Sequence, residues 1–517
     1  MEFRPSGPVR HVRARSVLAQ VRVGMGSFDR RYSLPIKPRG RVRDCRHPSN
    51  DKVVHIRRTL CSEVNSGRRL GNSDPMATSL LPFDPLRSSA QMIVYIDYKS
   101  PFSYLARDPT YGIEDTLGIE IDWRPLILDI PSYLGSARLD AQGRVIEAQR
   151  SERQWQQIRY GYGDIRRYGS LRNLVVRGTT KIWDSSLAAL GMLWARGQDK
   201  ASLRAYSNAV FEQFWKRDLD IEDFATIEAV LLKAGVRTEG FKSYAMGQGR
   251  ELLDQMQRAI FDAAIFGVPT YIVDGEVYFG REHLPRVRWQ LGGSKGAPPD
   301  IAYEGPSRPL STGGAKQRKV SVAIDFKSPH AYLAVGPTCA LAEELGLIID
   351  WRPFPVAPLT EPILAYPGHD RGARHRRFRA QNVERDLMRY AADRGLAIRG
   401  LYRQTDSSLA AIGLLWTKGR SESLARTYVQ LVFERYWREE LDIQESEGIR
   451  RLLTEIDVPT AGFDKFLSNE GRAQLERERL DLLKDGVFEV PTFKVDEELF
   501  VGRQHLPLIR SLLLGNR

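Results

Sequence analysis

Residues 97–106 read DYKSPFSYLA, and the fold depends on this stretch. An apolar run from Met92 to Ile96 leads directly into Ser100-Pro101, and a helical pattern follows. Serine is a preferred helix N-cap and proline a preferred first helical residue, so the pattern predicts a buried strand that ends at a helix N-terminus. Free N–H groups and the positive end of the helix dipole make such a terminus suitable for an anion.

The stretch is repeated later in the chain, and other stretches are repeated with it. Residues 325–334 read DFKSPHAYLA, 228 positions after the first copy. The other matching pairs are DWRP at 122–125 and 350–353, DSSLAA at 184–189 and 406–411, VPT at 268–270 and 490–492, and GREHLP at 280–285 with GRQHLP at 502–507. These spacings are far too long for a solenoid unit, so the chain carries two copies of one whole domain.

Each copy has the element pattern of an α/β domain. The order is strand, helix, strand, a long helical region, and then strand, turn, strand and helix. In the first copy we expect a helix over Pro101–Leu117, a strand over Ile119–Trp123, one long helix over Gln248–Phe266 and a hairpin turn at Asp274-Gly275. The opening βαβ unit and the closing ββα unit therefore enclose a helical insertion in a domain with a mixed sheet.

The basic character of the chain is concentrated in its first part. Residues 1–75 hold fifteen Arg and two Lys against six acids, so they carry +11 of the net +13. We predict a disordered basic segment at 1–90, domains at 91–293 and 319–517, and a Gly/Ser/Pro-rich linker at 294–318. Three interpretations of the tail are open: an inert tail or gene-model extension before Met76, a mitochondrial transit peptide, or an arm that contacts nucleic acid or a membrane surface.

The remaining composition excludes several classes of protein. Three cysteines form no CxxC pattern and eight histidines form no HExxH pattern, so no metal site is predicted. No apolar run reaches transmembrane length, and no membrane partner is expected. The sparse cysteines fit a reducing compartment. We expect a cytoplasmic protein, or a mitochondrial one if the tail is a transit peptide.

The quoted motifs resemble a known group of proteins. Ser-Pro at 100–101, FGVPT at 266–270 and GREHL at 280–284 together resemble the thioredoxin superfamily in its DsbA-like form, in which a helical domain is inserted into the thioredoxin fold. Within that group the chain is similar to 2-hydroxychromene-2-carboxylate isomerases and kappa-class glutathione transferases. The resemblance covers each repeat nearly from end to end and implies two tandem thioredoxin-like domains.

The resemblance implies a glutathione site in the first repeat. Ser100 would replace the nucleophilic cysteine and hydrogen-bond the glutathione sulfur, and Pro269 would be the cis-proline beside it. The main chain of Val268 would pair with the peptide backbone of glutathione. Glu282 would hold the γ-glutamyl ammonium, which Arg281 would repel.

The second repeat keeps part of this pattern. Ser328, Val490 and Pro491 stand where the first repeat has its serine, valine and cis-proline, and His330 could serve another substrate. Glu489 replaces Gly267, and Gln504 replaces the carboxylate of Glu282. Losing a charge-assisted contact costs about 1.5–3 kcal/mol, so we expect glutathione first of all in the first repeat.

Other polar and aromatic residues have simpler explanations. Ser-Pro after a strand can be only a helix cap, and Trp123, Trp351, Trp215 and Trp437 are expected in the core. His283 and His505 are expected to be structural, and Glu489 to be a solvated loop charge. The family's Tyr-x3-Asp-x2-Arg stretch is echoed by Tyr160, Asp164 and Arg167, but Asp164-Arg167 and Asp386-Arg389 are better explained as helix-surface or interdomain pairs than as ligand contacts.

Two classes of function follow from the sequence. The first is a glutathione-dependent isomerase or transferase that acts on a small aromatic organic compound. The second is a non-catalytic tandem thioredoxin-like module that binds or scaffolds, with nucleic acid reached only through the tail. The absence of cysteine at positions 100, 103, 328 and 331 argues against a dithiol oxidoreductase. The two copies are expected to pair within the chain or in a homodimer.

Overall fold

The computed structural model describes residues 83–130, 138–140, 145–147, 151–305 and 319–515. The predictions for the basic tail fall on residues that lie almost wholly outside these ranges. The segment 83–90 lies against the first sheet, because the Arg124 guanidinium donates to the carbonyls of Asp84 at 2.6 Å and Arg87 at 2.8 Å. Both repeats belong to one compact unit.

The first repeat is built on a four-stranded mixed sheet with the order β2-β1-β5-β6. Strand β1 is parallel to β2 and antiparallel to β5, with Tyr95 opposite Thr270. The strands are β1 (Met92–Ile96), β2 (Ile121–Pro125), β5 (Thr270–Val273) and β6 (Glu276–Phe279), and a separate pair is formed by β3 (Arg138–Leu139) and β4 (Val145–Glu147). All five residues of β1 are buried, so its apolar run occupies the centre of the domain.

Helices cover this sheet and form the insertion. They are α1 (Pro101–Leu117), α2 (Glu152–Ser170), α3 (Ser186–Arg196), α4 (Lys200–Lys216), α5 (Phe224–Lys233), α6 (Phe241–Met246), α7 (Gln248–Asp262) and α8 (Leu284–Leu291), with a 3₁₀ turn at Arg281–His283. Helix α1 has the predicted bounds and ends at Gly118, whose φ of 63° suits a residue without a side chain.

The second repeat reproduces the arrangement. Its sheet has the order β10-β9-β7-β8. The strands are β7 (Val320–Ile324), β8 (Ile349–Pro353), β9 (Thr492–Val495) and β10 (Glu498–Val501). The helices are α9 (Pro329–Leu345), α10 (Pro362–Ala365), α11 (Arg371–Ala392), α12 (Ser408–Lys418), α13 (Glu422–Trp437), α14 (Ser446–Glu455), α15 (Phe463–Ser468), α16 (Glu470–Lys484) and α17 (Leu506–Leu514), with a 3₁₀ turn at Arg503–His505. The predicted α/β organisation with a helical insertion is confirmed in both copies.

Two predicted element bounds are wrong. The long helix expected over Gln248–Phe266 ends at Asp262, because Ala264 takes a left-handed conformation with φ 61° and leads the chain away from the helix. The strand expected over Ile119–Trp123 is shifted to Ile121–Pro125, where all five residues pair with β1. The four tryptophans predicted in the core are buried there.

The two repeats pack against each other through equivalent surfaces. Helix α2 of the first repeat lies against the β9–β10 hairpin of the second, and α11 lies against the β5–β6 hairpin of the first. Arg167 donates to the carbonyl of Leu499 and lies 3.4 Å from Glu498, and Arg389 makes the matching contacts with Val277 and Glu276. The tandem copies therefore form a pseudo-symmetric pair within the chain.

Candidate active site

The chain between β1 and α1 is fixed before it reaches Ser100. The buried carboxylate of Asp97 accepts from the backbone N–H of Lys99 at 3.2 Å and from that of Leu128 at 2.8 Å. The N–H of Ser100 in turn donates to the carbonyl of Asp97 at 3.0 Å. Two neighbouring loops are thus tied to one carboxylate, and Ser100 has a defined position at the end of the central strand.

Ser100 is the N-cap of α1, and its side chain is 2% exposed. Its hydroxyl oxygen accepts from the N–H of Ser103 at 3.3 Å, with Pro101 at the first helical position. A serine hydroxyl that accepts in this way still has its own hydrogen to donate. The site therefore offers a hydroxyl donor at the positive end of a 17-residue helix.

A cavity of about 430 Å³ opens next to this serine. Its volume suits a small organic ligand. Most of its wall is apolar and comes from α2 and from the segment before α3. The lining residues are Lys99, Ser100, Pro101, Phe102, Leu128, Ile130, Gln157, Ile158, Gly161, Tyr162, Ile165, Thr179, Lys181, Ile182 and Trp183.

Lys99 brings a positive charge to this cavity. Its side chain is buried, and its ammonium lies 3.7 Å from the carboxylate of Asp97. The equivalent Lys327 is held more tightly, since its ammonium donates to Asp325 at 2.7 Å and to the Ser407 hydroxyl at 2.8 Å. The sequence analysis missed Lys99, although its position next to the Ser-Pro motif was a signal.

Val268–Pro269 is a cis peptide bond next to the end of β1. The ladder between β1 and β5 ends with Tyr95 opposite Thr270, so Pro269 follows beside the last residue of β1. The carbonyl of Pro269 accepts from Gly280 at 2.9 Å, and the Thr270 hydroxyl donates to Gly267 at 2.7 Å. No hydrogen bond joins the main chain of Val268 to another described residue.

Gly267 is required by its neighbour across the hairpin. A Cβ at this position would lie 2.5 Å from the ring of Phe279. In the second repeat Glu489 occupies the equivalent position, and the smaller Val501 stands where the first repeat has Phe279. The sequence change at Glu489 is thus matched by a second change on the adjoining strand.

The second repeat has the same backbone at its Ser-Pro motif. Ser328 accepts from the N–H of Ala331 at 3.3 Å, and Val490–Pro491 is also cis. The carbonyl of Pro491 accepts from Gly502 at 2.8 Å. The candidate residues of both repeats therefore occupy equivalent places, and the difference between the repeats lies in the space around them.

Two cavities that residues of both repeats line are separated by side chains of α11. One has a volume of about 500 Å³ and extends to Tyr366 and Tyr402, and the other has about 210 Å³ and extends to His330 and Tyr390. The side chains that line both are Arg379, Val383 and Leu387. Val383 takes the place of Gly161, and neither of these two cavities is lined by Ser328.

Glu282 lies apart from the cavity at Ser100. It lines the cavity of about 210 Å³ together with His283 and with His330 of the second repeat. Burial lowers the pKa of His330 to about 4, so its imidazole is neutral near pH 7. The structure thus brings Ser100 and Pro269 to the same end of β1 and places Glu282 where the two repeats meet.

Arg281 is buried among partners from within the protein, and the repulsion of a ligand ammonium stays a prediction. The side chain is 3% exposed and pairs with Glu304 at 3.4 Å. Its guanidinium lies 3.5 Å from the ring centre of Tyr303 and 4.4 Å from that of Tyr168. Tyr303 and Glu304 lie in the segment after the first repeat, and Tyr168 lies in α2. None of these partners is close to Arg281 in the sequence.

The Tyr-x3-Asp-x2-Arg stretch of α2 joins the repeats. The Tyr160 hydroxyl accepts from the N–H of Val501 at 2.8 Å and lies 3.1 Å from His505, and the Tyr168 hydroxyl is 2.8 Å from the same imidazole. Burial raises the pKa of Asp164, which pairs with Arg167, to about 6. The prediction of interdomain pairs is confirmed, and so is the structural role of His505.

Glu489 lies in a loop with its side chain 38% exposed, as expected, and it also has a partner in the other repeat. Its carboxylate pairs with Arg153 of α2 at 2.7 Å. In the opposite direction, His375 of α11 contacts the carbonyl of Phe266 at 3.0 Å. Each cis-proline loop is therefore touched by the insertion helix of the other repeat.

Other observations concern the described residues as a whole. Among their helices, none combines the length and apolarity needed to cross a bilayer. In the same part of the chain, no cluster of three or more His, Cys, Asp or Glu could hold a metal ion.

Comparison with known proteins assigns the fold family of both repeats. The model of the DSBA-like thioredoxin domain matches residues 91–292 and 319–514. Over 200 residues the chain is 24% identical to 2-hydroxychromene-2-carboxylate isomerase of Sphingobium xenophagum, covering 38% of this chain and 98% of that protein. The isomerase of the same name from Pseudomonas putida is 25% identical over 196 residues, covering 38% of this chain and 93% of that protein. A solved structure of 2-hydroxychromene-2-carboxylate isomerase is 25% identical with a TM-score of 0.29, covering 36% of this chain and 90% of that one.

Proposed function

Because the chain belongs to the DSBA-like thioredoxin family, which matches both of its repeats, we propose that the first repeat is a glutathione-dependent isomerase or transferase. The observation that carries this proposal is the cavity of about 430 Å³ that the buried Ser100 lines. The relatives of this chain in Sphingobium xenophagum and Pseudomonas putida are named isomerases. The substrate is a small aromatic organic compound that fits the largely apolar wall.

Three groups favour the thiolate form of glutathione at this site. A free thiol has a pKa near 8.5, and a hydrogen-bond donor or a nearby cation lowers it. The Ser100 hydroxyl supplies the donor, the start of α1 supplies the positive end of a dipole, and Lys99 supplies the cation. The main chain of Val268, which lacks a described hydrogen-bond partner, pairs with the peptide groups of glutathione.

The reaction consists of reversible addition of sulfur to carbon. The thiolate attacks the electrophilic carbon of a conjugated carbonyl compound, a C–S bond forms, and the C=C electron pair moves to the carbonyl oxygen as an enolate. The former double bond is now single and rotates. Return of the electron pair breaks the C–S bond and regenerates the thiolate, so no oxidant is consumed. In a transfer reaction the C–S bond stays and a leaving group departs with the electron pair.

Lys181 is a second lysine that lines the cavity. Its ammonium lies 4.2 Å from the ring centre of Trp183 and pairs with Glu222. A carboxylate or phenolate on the aromatic substrate could pair with Lys99 or Lys181, which both line the cavity. The role of Glu282 at the γ-glutamyl ammonium stays a prediction, as do those of Ser328, Val490 and Pro491.

A second candidate function rests on the second repeat. Ser328 lines neither of the two cavities beside α11, while the surface of that repeat makes many contacts with the first. A non-catalytic binding or scaffold module would need no more than this. In that case the cavity at Ser100 would be a binding site without turnover.

Calorimetric titration of the full chain with glutathione, combined with a turnover assay on aromatic α,β-unsaturated carbonyl compounds, tests the proposal. We expect Ser100→Ala to weaken glutathione binding about tenfold and to abolish most turnover, since it removes a hydrogen bond to a charged group. Ser328→Ala is the matched control and should change neither. Absence of binding to the wild-type chain, or equal losses in both variants, would contradict the proposal. Binding without turnover would favour the binding module.

A further inference from the structure

The loop that carries the cis-proline of the first repeat has a buried contact with the second repeat. His375 lies in the second turn of α11, and its side chain is buried. Its Nε2 is 3.0 Å from the carbonyl oxygen of Phe266. A carbonyl oxygen only accepts, so the imidazole nitrogen carries the hydrogen and donates it. Phe266 stands two residues before Val268, whose main chain is the proposed partner of the glutathione backbone.

The contact belongs to a stripe of α11 that covers the segment before the loop. The guanidinium of Arg371 lies 3.9 Å from the ring centre of Phe261, and Phe378 packs on the same ring at 5.5 Å. Arg374 pairs with Asp262 at 2.9 Å. Positions 371, 374, 375 and 378 share one face of a helix, so the whole stripe meets residues 261–266 of the first repeat.

The second repeat supplies a hydrogen bond to this segment. Helix α7 ends at Asp262, and Ala264 turns the chain with a positive φ, so the carbonyl of Phe266 has left the helix. Buried carbonyls need a partner, and here the donor comes from a residue 109 positions away in the other repeat. The ring of Phe266 also packs on His375 at 5.7 Å.

The reciprocal contact is different in kind. Arg153 occupies the position in α2 that is equivalent to His375, and it pairs with Glu489 before the second cis-proline. Its side chain is 50% exposed and that of Glu489 is 38% exposed. Exposed ion pairs of this sort contribute little. The buried hydrogen bond is thus donated by the second repeat and accepted by the first. The first repeat is the one whose serine lines an open cavity.

We propose that His375 is a positioning residue for the glutathione site of the first repeat, holding the Phe266–Pro269 loop from the second repeat. The inference rests on the proposed function for the site and adds that the site is complete only when the second repeat is docked. On this basis the second repeat contributes to the reaction without binding glutathione itself.

The test compares His375→Leu, His375→Gln and Glu489→Gln in the full chain. Glutathione affinity is measured by calorimetry, and backbone hydrogen exchange is followed by mass spectrometry in peptides that cover 262–272 and 484–494. We expect His375→Leu to weaken glutathione about tenfold, because it removes the buried hydrogen bond to the loop carbonyl, and to speed exchange in the 262–272 peptide. His375→Gln, whose amide can donate, should restore most of both, and Glu489→Gln should leave affinity unchanged.

Each outcome of these measurements either supports or overturns the proposed role of His375. Unchanged affinity in His375→Leu overturns it, even if exchange rises, because the loop would then be held without serving the site. Equal loss in Glu489→Gln also overturns it, since general loosening of the interface would explain both. If the wild-type chain binds no glutathione, the proposed function fails. The exchange data then decide the loop contact alone: faster exchange confined to the 262–272 peptide of His375→Leu supports it, and unchanged exchange contradicts it.

Discussion

At the scale of single residues, the site depends on how two polar side chains next to the central strand are held. Ser100 caps α1 by accepting from the N–H of Ser103 at 3.3 Å, so its own hydroxyl hydrogen is not used in the cap and can be donated to a ligand. The buried Lys99 is held loosely, because its ammonium lies as far as 3.7 Å from the carboxylate of Asp97. Its equivalent in the second repeat makes two short hydrogen bonds. The same sequence, Lys-Ser-Pro, thus leaves a more available cation in the first repeat.

Lys99→Met tests the charge at nearly constant volume. Removing the cation should raise the pKa of the bound thiol and weaken glutathione about tenfold near pH 7, since a nearby opposite charge typically lowers a pKa by about one to three pH units. Calorimetric titration gives the affinity. Lys327→Met is the matched control and should leave glutathione affinity unchanged, although it removes two buried hydrogen bonds and should lower the melting temperature. Unchanged affinity in Lys99→Met would show that the lysine is only structural.

The residues differ in how far sequence could predict their roles. The cap at Ser100 and the start of α1 were predictable because both depend on neighbours within three residues. The partners of Arg281 were not predictable, because Glu304 and Tyr303 come from a segment whose path the local sequence does not specify. His375 was not singled out at all, since its contact with Phe266 joins residues of different repeats.

At the scale of elements, helix α2 has two functions on adjacent faces. One face, with Ile158, Gly161 and Ile165, lines the cavity at Ser100. The other, with Tyr160 and Tyr168, is fixed to His505 of the second repeat. The periodicity of the helix was readable from the sequence, but the assignment of its faces required the partner surface. The cavity wall carries Gly161 in the first repeat and Val383 in the second. This difference in side-chain size explains why the two repeats have different cavities.

Gly161→Val tests this explanation by giving the first repeat the side chain of the second. A Cβ at Gly161 would meet no atom within 4 Å, so the substitution should fill the cavity without unfolding the domain. We expect substrate KM to rise at least about tenfold, because the added methyl groups occupy ligand volume, while the melting temperature changes by only a few degrees. Steady-state kinetics and thermal denaturation give the two values.

The control for this prediction is Val383→Gly in the second repeat. It should not change the kinetics of the first repeat, although glycine in a helix costs about 1 kcal/mol and a lost apolar contact adds to this. If Gly161→Val leaves KM unchanged, the cavity beside α2 does not hold the substrate.

At the scale of the whole molecule, the chain forms its own pair of domains. The segment between the repeats runs through their junction: Ala302 donates to the carbonyl of Glu282 at 2.9 Å, and Tyr303 donates to that of Gln504 at 2.8 Å. Asp300 pairs with Arg503 at 2.9 Å, and Glu304 pairs with Arg281. A linker was predictable from composition, but its central position in the interface was not. The polar groups of the interface include buried histidines.

The lowered pKa values of these histidines predict that the paired repeats lose folding stability in acid. Burial lowers the pKa of His375 and His330 to about 4, and it lowers the pKa of His505 well below the ordinary value near 6.5. Between about pH 4 and 6.5, these histidines bind protons in the unfolded chain but not in the folded chain. Stability is therefore fully present above about pH 6.5 and is lost as the pH falls towards 4.

One carboxyl group opposes this trend. The pKa of Asp164 is raised to about 6, so its protonation in the folded state recovers part of the stability below that pH. Three histidines against one aspartate leave a net loss of folding stability between pH 7 and 5. Urea denaturation at a series of pH values measures it. His375→Gln should flatten the curve, and a stability that is constant from pH 7 to 5 would contradict the assignment of neutral buried imidazoles.

The most direct test of the central claim is the ultraviolet titration of glutathione bound to the full chain, in which the absorbance of the thiolate is followed against pH. The account predicts that the bound thiol ionises about one to two pH units below the value near 8.5 of a free thiol. Ser100→Ala should bring that pKa back up by about one pH unit, and Ser328→Ala should leave it in place. A bound thiol that titrates like free glutathione in the wild-type chain, or an equal change in both variants, would contradict a thiolate site at Ser100.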